Sequence, residues 1–157
     1  MAAVVLAAGG STRLGMPKQL LLHDGEPLVR RAATACLAAG ATPVHVVVGA
    51  EADRVAATVA DLAGVRVVPN DAWRDGLASS LAAGLHAAIA DAPAPHPPCD
   101  AVLVTLADQP LVDAAALAQL LDALADAPDP AHALVAAAYA GTLGVPALFG
   151  RAHAPSL

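Results

Sequence analysis

The sequence predicts an α/β fold: a three-layer, doubly wound, mostly parallel sheet in a single domain spanning residues 1–157. Two observations carry this. Short continuous apolar runs, the form taken by strands buried on both faces, alternate along the chain with longer segments whose apolar residues recur at helical spacing. Strands alternating with helices imply right-handed crossovers and a sheet covered on both sides. A length of 157 residues suits one domain and leaves no room for two.

Ala2–Ala7 is the first buried strand, and a loop rich in Gly, Ser and Pro follows it to Lys18. Leu20–Leu22 leads into the turn His23-Asp24-Gly25-Glu26, and Pro27 is expected as the first residue of a helix ending near Gly40, a suitable C′ residue. Val44–Val48 is the second strand. Glu51–Leu62 is a helix with Val55, Val59 and Leu62 on one face, and Val65–Val68 the third strand. The loop Pro69–Asp75 precedes a helix over Leu77–Ala90. Ala92–Pro98, with four prolines in seven residues, is an extended surface connection. Ala101–Leu106 is the fourth strand, Asp113–Asp126 a helix, and Ala133–Tyr139 and Val145–Phe149 two further strands. Ligands of such sheets sit beyond the carboxyl ends of the strands, so the loops after Leu6, Val68 and Leu106 are expected to face one another.

Composition narrows the function. A net charge of −6 argues against nucleic acid or an anionic membrane as the main partner. An anionic ligand then needs a locally basic pocket. Two cysteines, Cys36 and Cys99, are too few for a disulfide framework and lack metal-ligand spacing, which fits a reducing cytoplasm. The apolar start Ala2–Ala8 has no basic n-region, is halted by Gly9-Gly10, and is too short to span a bilayer. The six histidines show no H-x-x-H or H-E-x-x-H spacing, so a zinc site is not expected. Arg30 and Arg31 lie on a helix and read as surface charges.

The opening loop Leu6–Lys18 carries the chemistry. Its glycines are wrongly spaced for a dinucleotide fingerprint, and Lys18 follows Pro17 rather than the Gly of a P-loop. What remains is a phosphate cradle of another kind. Backbone N–H groups of Gly9, Gly10 and Ser11 can approach a triphosphate because glycine places no Cβ in the way. Arg13 and Lys18, the only lysine in the chain, bring two positive charges to it. Asp108 stands at the carboxyl end of the fourth strand, where a carboxylate can hold Mg²⁺ against phosphate oxygens. The first-turn N-cap of the next helix falls better to Asp113. Thr105 reads as a plain strand residue.

The loop resembles a known signature. Leu6-Ala7-Ala8-Gly9 followed by Arg13, Gly15 and Lys18 is similar to the L-A-A-G-x-x-x-R-x-G-x-x-K motif of the molybdenum-cofactor nucleotidyltransferases, the MobA-like NTP transferases. Three further blocks follow in the family's order: Asn70–Leu81, Asp108-Gln109-Pro110, and Gly144–Phe149 with its G-x-P-x-x-F pattern. The resemblance implies a Rossmann-like fold of the nucleotide-diphospho-sugar transferase type. It implies that Leu6, Ala7, Ala8, Gly9, Gly10, Arg13 and Lys18 bind the base and phosphates of an NTP. Asn70, Ser79 and Ser80 then meet the base or ribose; without the resemblance the two serines would read as first-turn caps. Trp73 either covers the substrate or packs.

The expected reaction transfers a nucleoside monophosphate from an NTP to a phosphate monoester, releasing pyrophosphate, with Arg13, Lys18 and Mg²⁺ on Asp108 as the catalytic groups. Ala7-Ala8-Gly9 and Asp108-Gln109-Pro110 resemble the cytidylyl branch, which joins CMP from CTP to molybdopterin; the guanylyl branch usually has Gly-Gly where this chain has Ala8-Gly9. The resemblance also implies contact with a molybdoenzyme or its chaperone. Two alternatives stand beside it. One is a nucleotidyltransferase for a sugar or polyol phosphate, whose Asp block tends to carry a nearby arginine that is absent here between Arg74 and Arg151. The other is a catalytically silent nucleotide-binding module, because family members usually continue past Phe149 with a segment supplying a second metal carboxylate. On that expectation the domain lacks its C-terminal end.

Overall fold

The computed structural model describes residues 1–11, 15–91 and 101–156. Arg13 and the connection Ala92–Pro98 lie outside the described residues. Along the chain run β1 (Ala2–Leu6), β2 (Leu22–His23), β3 (Glu26–Pro27), α1 (Leu28–Ala38), β4 (Val44–Val48), α2 (Ala52–Ala57), β5 (Val65–Pro69), α3 (Leu77–Ala90), β6 (Ala101–Leu106), α4 (Ala114–Ala125), β7 (Leu134–Tyr139) and β8 (Thr142–Gly150). Six strands form one sheet in the order β5-β4-β1-β6-β8-β7. The four strands β5, β4, β1 and β6 are parallel, while β8 runs antiparallel to both β6 and β7. The mostly parallel, doubly wound expectation holds.

The apolar runs are continuous because helices cover both faces of the sheet. Along β1, Ala3 and Val5 belong to one core cluster with Val29, Cys36, Val46, Leu103 and Leu117, under α1 and α4. Ala2, Val4 and Leu6 belong to a second cluster with Val47, Leu85, Val102 and Val104, under α3. Each fully buried Val or Leu contributes about 1.5–3 kcal/mol, so these two layers supply most of the stability. Small residues let α3 come close. A Cβ on Gly84 would collide with Val4 and lie 2.9 Å from a Val47 methyl.

Element edges differ from the sequence reading in three places. Pro27 closes a two-stranded hairpin instead of opening α1; Asp24 and Gly25 both take positive φ (52° and 81°), the backbone of a two-residue hairpin turn. The helix expected over Glu51–Leu62 stops at Ala57. There the Thr58 hydroxyl donates to the Val55 carbonyl at 2.7 Å, and the N–H groups of Thr58, Val59 and Leu62 each bond three residues back, tightening the chain into turns. The last two strands form a hairpin, with Tyr139 opposite Thr142.

Arg30 and Arg31 are not idle surface charges, and that reading is corrected. Arg30 grips the Asp61 carboxylate with two nitrogens, one at 2.9 Å, and also donates to the Thr58 carbonyl, tying α1 to the exit of α2. The Arg31 Nε donates to the Pro110 carbonyl at 2.9 Å, across 79 positions of sequence.

Candidate active site

The glycine loop leaves the middle of the sheet under restraint. The Ala7 N–H donates to the Val47 carbonyl at 2.9 Å, and the Ala50 N–H donates to the Ala8 carbonyl at 3.0 Å. The ladder to β4 is thus carried beyond β1 itself. The buried Gln19 side chain then reaches back, its Nε2 donating to the Gly9 carbonyl at 3.2 Å. Ser11 closes the turn: it sits at φ 49°, and its hydroxyl accepts the Lys18 N–H at 3.0 Å. A Cβ on Gly10 would stand 3.0 Å from the Trp73 ring, whereas one on Gly9 would meet nothing within 4 Å. The loop is therefore packed behind Gly10 and open in front of Gly9, which suits a backbone meant to meet a ligand.

A second loop carries Asp108. The Ala107 N–H donates to the Leu6 carbonyl at 3.1 Å, which fixes this loop to the end of β1. The Gln109 amide does more than its neutral character suggests. Its Oε1 accepts from the Thr105 hydroxyl at 3.3 Å and the Leu106 N–H at 3.4 Å, and its Nε2 donates to the Val145 carbonyl at 2.8 Å. Thr105 thus has a task beyond its place in the strand. The bond to Val145 physically joins the Asp108-Gln109-Pro110 block to the Gly144–Phe149 block. Asp113 caps α4, accepting the Ala116 N–H at 2.8 Å, as its position in the sequence indicated. Asp108 itself is left facing Lys18: Nζ and Oδ2 are 3.5 Å apart, with side chains 50% and 38% exposed.

The third loop is braced by Asn70, which is buried at the end of β5. Its Nδ2 donates to the hydroxyls of Ser79 and Ser80 at 3.1 and 3.0 Å, and its Oδ1 accepts the Ala72 N–H at 3.1 Å. The Ser79 hydroxyl proton is directed at the carbonyls of Ala72 and Gly76. Asn70 and Ser79 therefore serve as internal struts of the loop that presents Trp73, and Ser80 is the member of the trio that reaches the cleft wall. The Arg74 guanidinium lies over the Trp73 ring, 4.4 Å from its centroid, a cation–π contact.

These loops enclose a cleft of about 600 Å³ at the carboxyl ends of the parallel strands. Leu6, Ala7, Ala8, Gly9, Gly10 and Ser11 form its floor, Lys18 and Asp108 one side, and Trp73, Arg74, Leu77 and Ser80 the other. Sheet order explains the division, because β6 lies on one side of β1 while β4 and β5 lie on the other. The three loops expected to converge do so. Sequence reasoning missed Gln19, Arg31, Arg74 and Gln109. Among the described residues, no three His, Cys, Asp or Glu side chains gather closely enough to hold a metal ion. A divalent cation at this cleft would take Asp108 from the protein and its other ligands from phosphate oxygens and water, a set ordinary for Mg²⁺.

The family model for the MobA-like NTP transferase domain matches residues 3–157. The chain belongs to this family. Nicotine blue oxidoreductase of Paenarthrobacter nicotinovorans is 40% identical over 119 residues, which cover 75% of this chain and 54% of that protein. The chain thus spans about half the length of that relative. Among solved structures, a nucleotidyl transferase of Methanothermobacter superposes with a TM-score of 0.76 at 28% identity, covering 98% of this chain and 74% of the other. Rv0371c of Mycobacterium tuberculosis, in complex with manganese, superposes with a TM-score of 0.70 at 29% identity, covering 99% and 73%. The family's Rossmann-like sheet is the one seen here. No helix among the described residues is long and apolar enough to cross a membrane.

Proposed function

We propose that this MobA-like domain transfers CMP from CTP to a phosphate monoester of the molybdopterin class and releases pyrophosphate. The observation that carries the reading is the meeting of the open glycine loop, Lys18 and Asp108 in one cleft, although they come from distant parts of the chain. A phosphate monoester has a second pKa of about 6 and is largely a dianion at neutral pH, so it attacks without a strong general base. Its oxygen forms a bond to the α-phosphorus, the bond from that phosphorus to the bridging oxygen breaks, and pyrophosphate departs with the electron pair.

The chain's residues then have defined tasks. Backbone N–H groups of Gly9, Gly10 and Ser11 hold phosphate oxygens, and Lys18 balances their charge. Arg13 adds a second charge to the same loop; this rests on the sequence motif. Ser80 and the floor Leu6–Ala8 receive the nucleoside, with Asn70 and Ser79 keeping that wall in place. Asp108 holds Mg²⁺, which when bound supplies charge neutralisation on the triphosphate. The manganese in the related Rv0371c structure supports a divalent ion in this family. Preference for CTP is supported by Ala8-Gly9 where the guanylyl branch carries Gly-Gly. The buried free thiol of Cys36 supports work in a reducing compartment such as the cytoplasm.

The name of the 40%-identical relative favours a second reading, a redox catalyst on the same scaffold. One panel separates the two: pyrophosphate release from each of CTP, GTP, ATP and UTP with a phosphorylated pterin, beside oxidation of NADH or NADPH by an added two-electron acceptor dye. The expected result is pyrophosphate release, fastest with CTP. Release fastest with GTP moves the assignment to guanylyl transfer. Acceptor-dependent oxidation of NADH or NADPH without pyrophosphate release overturns the transferase reading.

A further inference from the structure

The Asp108 carboxylate has one described polar contact, the 3.5 Å approach of Lys18. Its direction therefore depends on the backbone of the loop that carries it. Most tethers of that loop come from the sheet or from the loop itself. Ala107 bonds to Leu6, Gln109 to Leu106, Thr105 and Val145, and the Val112 N–H closes back on the Gln109 carbonyl at 3.1 Å. One tether comes from elsewhere: the Arg31 Nε, on α1, donates to the Pro110 carbonyl at 2.9 Å. Proline has no N–H, so that carbonyl is the single backbone group through which Pro110 can be anchored.

Arg31 is suited to the task. It is half-buried, and a guanidinium N–H points in a fixed direction relative to its planar fork. The helix beneath it is itself held. Arg30, one residue earlier, is clamped to Asp61 and Thr58, and Ala32 and Ala35 of α1 face Leu106, Gln109 and Val112 across a narrow crevice. We propose that Arg31 is the positioning residue for Asp108: by holding the Pro110 carbonyl to α1, it fixes the backbone that aims the carboxylate into the cleft. The consequence for metal binding rests on the transferase reading; the consequence for the loop does not.

Two variants and two measurements test this. Arg31→Met keeps the aliphatic stem and loses the donor, whereas Arg31→Lys keeps a donor. In the ligand-free chain, hydrogen exchange at the hydrogen-bonded amides of Ala107 and Val112, which flank Asp108 in this loop, is expected to quicken by about tenfold in Arg31→Met, and to be slowed again by Arg31→Lys. Amides of α1 and β1 should be unchanged. The Mg²⁺ concentration giving half-maximal CTP binding should also rise by about tenfold or more, the scale seen when a group orienting a metal ligand is lost. CTP affinity without metal should stay within about twofold. Loop exchange at the wild-type rate overturns the proposal. So does exchange quickened equally throughout α1 and β6, which marks general destabilisation. CTP binding that is indifferent to Mg²⁺ in the wild-type chain sinks the transferase reading instead, and the exchange rates still decide whether Arg31 holds the loop.

Discussion

Lys18 and Asp108 stand 3.5 Å apart although 90 positions separate them in sequence, and each is the other's described ionic partner in the cleft. Both are about half exposed, so their attraction contributes little to folding, at most about 1 kcal/mol. Lys18→Ala should accordingly leave the thermal midpoint nearly unchanged. It should weaken NTP binding by roughly 2–4 kcal/mol, the scale of losing a charged partner from a site desolvated by its ligand. Titration calorimetry with CTP checks this, and affinity retained within about twofold would dismiss the phosphate cradle.

Asp108→Asn is nearly isosteric and uncharged. It should abolish the Mg²⁺ dependence of CTP binding while metal-free binding stays equal or tightens, because Lys18 is released from its acidic neighbour. Titrating CTP with and without Mg²⁺ in both proteins is the measurement. An undiminished Mg²⁺ effect in the variant would place the metal on another residue.

Asn70 is a structural prediction as much as a functional one. Asn70→Ala leaves the Ser80 hydroxyl, buried with its residue, and the Ala72 N–H without this partner, a loss of about 1–3 kcal/mol. Chemical denaturation should register it. Nucleotide binding should weaken as well, because the Trp73 wall loses its brace. Full stability in the variant would mean that water replaces the side chain without cost.

Asp91 supplies a test in pH. Its carboxyl is held below the usual carboxylate range, first by the hydrogen bond from buried His45, at 2.7 Å, and then by Arg66. A folded-state value below the unfolded one gives stabilisation that is complete above about pH 4 and is lost as the pH falls through the lower folded value. Asp91→Asn should therefore be less stable than wild type at neutral pH, and the gap should close in acid. Urea midpoints from pH 7 down to pH 3 measure it; a gap constant across that range would refute the assignment.

Much of this site is legible in the sequence because it obeys local rules. Glycines after an apolar run mark a backbone approach, and a lone lysine in an acidic chain draws notice. An aspartate after a fourth apolar run lands on the same rim because parallel strands all end on one side. The missed residues obey no such rule. Gln19, Gln109 and Arg31 each donate to a carbonyl oxygen, and a carbonyl carries no sequence signature. Arg31 looks like any helical arginine until Pro110, 79 positions away, is brought to it. Likewise, Ser79 and Asn70 share one motif block with Ser80, but only packing shows which of them lines the cleft. The shortened α2 follows the same logic: Thr58 ends the helix through its own hydroxyl, against an apolar spacing that runs on to Leu62.

The central position of β1 has a consequence for how the molecule assembles. This strand precedes every other strand of the sheet in sequence, yet one of its two edges pairs with residues about one hundred positions later, Ala2 opposite Val102 and Leu6 opposite Leu106. Until then, β4 can cover one edge while the other remains an open apolar template. Such distant pairing slows folding and leaves an early species prone to association. The same event brings Asp108 beside Lys18, so joining β6 to β1 and completing the nucleotide cleft are one step. Nucleotide added during refolding should therefore capture only chains in which β6 has joined β1, which makes nucleotide binding a reporter of that step.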